Sequence, residues 1–120
     1  MLDANILIML LDRDQRVIRR ARECFEGDLC VSAIAYAEVA RGTIAGKAPL
    51  HQILAQAVER IPVQPFDEQA ARYYANLPFA RHRFDRLIAA HALALDLTLV
   101  TANLRDFADI PGLKVEDWTQ

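Results

Sequence analysis

The 120-residue chain is short of several things at once, and each shortage excludes something. It has only four glycines, so its loops must be short. It has two cysteines, Cys24 and Cys30, without CxxC spacing and too few for a disulfide framework. Reduced structural thiols are expected. No Lys or Arg precedes Arg13, and the apolar run over residues 6–11 is far below the ~20 residues needed to span a bilayer. The opening MLDANILIML therefore fails as a secretion signal, which needs a basic start and a longer apolar stretch. A soluble, cytoplasmic protein without membrane association is expected. An excess of positive charge is missing too. At a net charge of −2 the chain cannot bind nucleic acid by bulk charge alone, which leaves a local basic patch or a metal-bridged phosphate contact. No internal repeat, low-complexity segment or linker is visible, so residues 1–120 are read as one domain.

Hydrophobic residues make up 53% of the chain, ample for a core. Their periodicity predicts alternating elements. Residues 1–3 read as the end of a short strand and 5–11 as a helix. Residues 14–25 place Val17, Ile18, Ala21, Cys24 and Phe25 on one helix face, with Arg16, Arg19 and Arg20 on a solvated one. LCVSA is a buried strand ending at Ser32, a good N-cap. Residues 34–44 and 49–60 follow as helices. IPVQPF is a strand broken by prolines, suited to a sheet edge. Residues 67–77, capped by Asp67, and the strongly amphipathic 85–95 are further helices. LTLVT is a buried strand and LKVEDW the last strand candidate.

Strands alternating with helices predict an α/β architecture, a mostly parallel sheet with helices on both faces. In such folds, residues just past the carboxyl ends of strands converge on one crevice. Asp3 follows the first strand. Glu38 lies about one turn into the helix after LCVSA. Asp85 begins the helix before LTLVT, and Asn103 and Asp106 follow that strand in VTANLRDF. Several carboxylates in one water-poor space raise each other's pKa, and a divalent cation removes the conflict. Mg²⁺ and Mn²⁺ prefer such oxygen ligands and keep several waters. Each residue also has a plainer reading. Asp3 and Asp85 could simply cap helices. Glu38 could pair with Arg41 on a solvated face. Asn103 and Asp106 could be turn residues.

MLDANILI resembles the opening LD-x-N-I of PIN domains. VSAIAYAEVARG resembles their second motif, a strand leading into a helix that carries an acid. FDRLIAAHALALDLTLVTANLRDFADIPGLKVEDW is similar to the C-terminal third of bacterial VapC-type toxins. The resemblance covers nearly the whole chain. It implies a three-layer PIN-like fold and a metal-dependent endoribonuclease, the toxin of a type II toxin–antitoxin pair. It further implies an RNA substrate such as tRNA or rRNA, a cognate antitoxin laid across the site, and a homodimer. Asp3, Glu38 and Asp85 match the three acidic positions that hold Mg²⁺ or Mn²⁺. The fourth acidic position falls on Asn103, a neutral carboxamide, with Asp106 as a possible substitute. Asn5 and Thr101 match small polar positions that orient ligands or water. The segment between Asp67 and Asp85 is shorter than in many relatives.

The basic stretch around Asp85 offers Arg81, Arg83 and Arg86 as RNA contacts beside an anionic site; a solvated loop is the alternative. His82 and His91 suggest general acids, but His91, set among alanines, reads as a packing residue. For the homodimer, residues 50–58 and 70–77 are candidate surfaces. Two rival functions remain. One is a PIN-fold RNA-binding or scaffold module without nuclease activity, against which the full set of three acids argues. The other is a phosphotransfer enzyme with Asp3 as nucleophile. A haloacid-type phosphatase would carry Asp where Asn5 stands, and it and a receiver domain would need a suitably placed lysine. Lys47 and Lys114, the only two, do not fit.

Overall fold

A computed structural model describes residues 1–25, 27–78 and 83–120, with Arg83 described by its backbone alone. The chain starts in the middle of its own sheet. Leu2 bridges Val31 on one side and Val100 on the other, both in parallel. Outside Val31, strand β1 (Val31–Ser32) pairs in parallel with β2 (Val63–Gln64), in the register Val31 to Val63. Outside Val100, β3 (Leu99–Val100) pairs in parallel with β4 (Val115–Glu116), in the register Leu99 to Val115. The order across the sheet is therefore β2, β1, Leu2, β3, β4. Every pairing among the described residues is parallel, as alternating elements predict.

The strands are shorter than the sequence suggests, because each helix begins where a strand stops. Ser32 closes β1 and also caps α3 (Ala33–Ile44), its hydroxyl accepting the Ile34 N–H at 3.1 Å. Asp3 likewise follows Leu2 and caps α1 (Ala4–Leu11), with Oδ1 2.9 Å from the Ile6 nitrogen. Asp14 and Asp67 cap α2 (Gln15–Arg22) and α5 (Glu68–Ala75) in the same way. Carboxylates and hydroxyls at these positions satisfy N–H groups that have no partner within the helix.

Some boundaries depart from expectation. Helix α2 stops at Arg22 rather than running to Phe25, since the Cys24 N–H turns back to the Ala21 carbonyl. Helix α4 (His51–Arg60) starts two residues after Pro49, whose carbonyl accepts the Thr43 hydroxyl at 2.6 Å. Helix α6 (Arg83–Ala94) begins before Asp85, which is a first-turn acid and not its cap. A short helix, α7 (Leu104–Phe107), occupies a stretch with no predicted helix.

The core forms around the central strand. Leu2, Ile6, Leu7, Val17, Val31, Val39, Ile88 and Leu99 are completely or almost completely buried. Helices α1, α3 and α6 pack together, and α5 lies along α6. Among the described residues, no helix is long and apolar enough to cross a membrane.

Candidate active site

The sheet order creates one topological switch point. From Leu2 the chain proceeds outward to β1 and β2, then returns to the other side of Leu2 as β3 and β4. Connections diverge there to opposite sides, and a crevice opens at the carboxyl end of the central strand. Asp3 is the first residue past that end. Its N–H is held by the Val100 carbonyl at 3.0 Å, and the residue is only 7% exposed.

Thr101, the residue after β3, is fully buried beside it. Burial pushes the Asp3 carboxyl above its ordinary pKa. Hydrogen bonds from the Thr101 hydroxyl and the Ile6 and Asn5 N–H groups work the other way, while Asp85 adds to the rise. Glu38 reaches the same space from α3. Its side chain is open to solvent, yet its pKa is also raised, by partial desolvation first, then by Asp85 and by Asp3. Three acids from three chain segments thus act on one another through like-charge repulsion.

The other expected site residues stand differently. Asn5 is exposed on the first turn of α1, its backbone N–H aimed at Asp3. The Asn103 N–H donates to Thr101 Oγ1 at 3.1 Å, which ties it to the buried threonine, but its own side chain is exposed and makes no cap bond. Asp106 is half-buried in α7, its N–H on the Asn103 carbonyl at 3.1 Å. Arg81 and His82 lie outside the described residues, as does the Arg83 side chain.

Arg86 corrects the expectation of an RNA-facing cation. It is 3% exposed, and its guanidinium contacts the Asp109 carboxylate at 2.7 Å. The reason is helical phase: one residue beyond Asp85, its side chain turns into the molecule toward the segment after α7. His91 is buried, as the alanines around it suggest.

One feature of this surface was not legible in the sequence. Ile34, Ala37, Ala40 and Ile44 of α3, with Phe84, line an apolar groove of about 550 Å³ rimmed by Glu38 and Arg41. Ile44 is 87% exposed and Phe84 60%. Both stand at positions where helical periodicity allows burial, so only the packing shows them to be uncovered.

The donor set suits a hard divalent cation. It offers carboxylate oxygens and no sulfur or imidazole, and repulsion among them is what a cation would relieve. Among the described residues, no three His, Cys, Asp or Glu side chains form a ready-made group for a metal ion.

Comparison with known proteins adds the family. The model of the PIN domain matches residues 1–113. The ribonuclease VapC1 of Haemophilus influenzae strain R2866 is 34% identical, with all of this chain and 98% of that one covered. The tRNA(fMet)-specific endonuclease VapC of Shigella flexneri is 30% identical over 99% of this chain and 97% of that one. Among solved structures, VapBC-1 from nontypeable Haemophilus influenzae superposes with a TM-score of 0.80 at 30% identity, covering 100% of this chain and 98% of that chain.

Proposed function

The chain belongs to the PIN domain family, and on that premise we propose that it is a divalent-metal-dependent endoribonuclease, the toxin of a toxin–antitoxin pair. The observation that carries this reading is the place of Asp3 just past the central strand, with its carboxyl and that of Glu38 both raised, by burial first and with Asp85 adding to each. The relatives' names as ribonucleases and a tRNA endonuclease support RNA as the substrate, and tRNA as its first candidate.

Asp3, Glu38 and Asp85 would hold Mg²⁺ or Mn²⁺. A bound divalent cation supplies Lewis acidity toward a phosphodiester and acidifies water for attack. The chain's own residues prepare the place. Asp3 is immobilised by backbone and Thr101 hydrogen bonds, so its orientation costs nothing when RNA arrives. Thr101 in turn anchors the Asn103 backbone. Asn103 would act as a neutral fourth residue, with Asp106 as its possible substitute. Arg81 and Arg83 would supply backbone contacts to RNA; Arg86 would hold the α7 segment against α6.

A cognate antitoxin is the proposed partner, supported by the likeness to a solved toxin–antitoxin complex from Klebsiella pneumoniae. The apolar groove beside Glu38 is its proposed seat, where a bound segment would also shade the acids. A homodimer built on residues 50–58 and 70–77, where Leu50 and Tyr73 stand exposed, completes the proposal. An RNA target used in translation puts its action in the cytoplasm.

The test is cleavage of total tRNA by purified protein with Mg²⁺ or Mn²⁺, with chelator, and with Asp85→Asn. Cleavage should need the metal and vanish in the variant while its circular dichroism is unchanged. Full activity in Asp85→Asn would sink the assignment.

A further inference from the structure

The proposed chemistry leaves one buried polar contact unused. Ser32 and His91 are 0% and 1% exposed, and Ser32 Oγ lies 2.8 Å from His91 Nδ1. Ser32 Oγ also accepts the Ile34 N–H, and its own proton is free to be directed at Nδ1. With Ser32 as donor, Nδ1 is the unprotonated nitrogen of a neutral ring. Burial favours the same neutral form. Phe66 packs edge-on against the ring, with centroids 5.3 Å apart. One imidazole thus joins the cap of α3, the segment leaving β2, and α6.

The positions of the acids give this contact a consequence. Glu38 lies six residues after Ser32, and Asp85 six residues before His91. Helices that approach at both pairs must run antiparallel. Six residues span ~9 Å on either helix, so the contact and the acid pair stand in one shared register. A slip of α6 by one residue would swing Asp85 by about 100° around the helix axis. The buried face of α6 carries the small side chains of Ala89, Ala90 and Ala92 beside Ile88 and the Arg86 guanidinium held by Asp109. Small, similar side chains present a smooth surface, whereas a directional hydrogen bond between two single groups does not.

We infer that His91 is a positioning residue: through Ser32 it sets the register of α6 on α3 and thereby aims Asp85 at Asp3 and Glu38. The inference rests on the reading of these acids as metal ligands, and the test separates the two. Mn²⁺ binding is measured by titration calorimetry on the full chain, beside thermal unfolding. His91→Leu and Ser32→Ala should each weaken Mn²⁺ binding about tenfold, the scale expected for a group that orients a ligand. The double variant should be no worse than either single one, since both break the same contact. His91→Asn, whose amide reaches where Nδ1 stood, should recover most of the affinity even if it melts earlier. Native Mn²⁺ affinity in a folded Ser32→Ala or His91→Leu, or additive losses in the double variant, overturns the inference. Should His91→Leu fail to fold, Ser32→Ala and His91→Asn decide it. Asp85→Asn is the control. If it alone loses Mn²⁺, the metal reading stands and the contact variants decide the register. If it binds Mn²⁺ like the parent, the metal reading fails and the inference with it.

Discussion

Asp3 has two separable duties, and a pair of substitutions tells them apart. Its Oδ1 caps α1 through the Ile6 N–H at 2.9 Å, and its charge is proposed to hold the metal. Asparagine keeps a capping oxygen and loses the charge; alanine loses both. Loss of a cap costs about 1 kcal/mol. Unfolding entropy of ~2.1 cal/mol/K per residue gives about 250 cal/mol/K for 120 residues, so that cap corresponds to about 4 °C in Tm. Asp3→Ala should therefore melt about 4 °C below Asp3→Asn, while both are inactive on RNA. The charge adds a pH signature. The folded pKa of Asp3 is raised, chiefly by burial, so its contribution to stability is greatest below its unfolded pKa and declines as pH rises through the folded value. Asp3→Asn does not titrate. Without metal it should match the parent near pH 4 and melt above it at pH 7.5. Scanning calorimetry at both pH values, with and without Mn²⁺, reads all three effects; Mn²⁺ should raise the Tm of the parent only. Equal melting of the Asn and Ala variants would refute the capping argument, and RNA cleavage by Asp3→Asn would refute the ligand argument.

Other outcomes follow from the same geometry. Mn²⁺ affinity should fall as pH drops through the raised pKa values of Asp3 and Glu38, and titration between pH 7.5 and 5 would reveal it. Asp109→Ala should cost about 2 kcal/mol in urea unfolding, because it removes a charged partner from buried Arg86, and should leave RNA affinity unchanged. Loss of both Arg81 and Arg83 should weaken RNA binding and shallow its salt dependence while metal affinity holds. Ile44→Asp should weaken antitoxin binding about 30-fold, read by surface plasmon resonance, with RNA cleavage retained, since Ile44 stands 87% exposed in the groove.

How much of this was legible in the sequence depends on the range of the force concerned. The caps at Asp3, Ser32 and Asp67 could be read because capping is settled within three residues. The parallel sheet could be read because alternation of strands and helices leaves few topologies. Helix α7 escaped because a four-residue helix has no periodicity to detect. The burial of Arg86 escaped because it depends on Asp109, 23 residues away, and an arginine beside an acid reads locally as a surface cation. The contact between Ser32 and His91 was hidden for the same reason. Each had a sufficient local role, one as a cap and the other as packing, and only the approach of residues 59 apart shows that they share a bond. The three acids were legible as a set through their places at element ends and through the motifs they sit in. Their mutual repulsion is a property of the folded chain.

The central place of Leu2 in the sheet also bears on the order of synthesis. Leu2 has no sheet partner until Val31 and then Val100 have been made. Asp3 is held by the Val100 carbonyl and sits beside Thr101, so its setting is built from segments far apart in the sequence. A nascent chain carrying Asp3 and Glu38 has no assembled acidic site until residues near 101 emerge and close the sheet around Leu2. Pairings of such sequence separation form late. Under the nuclease reading, the polypeptide remains inert toward RNA until the segment around Val100 has been made and the sheet has closed around Leu2.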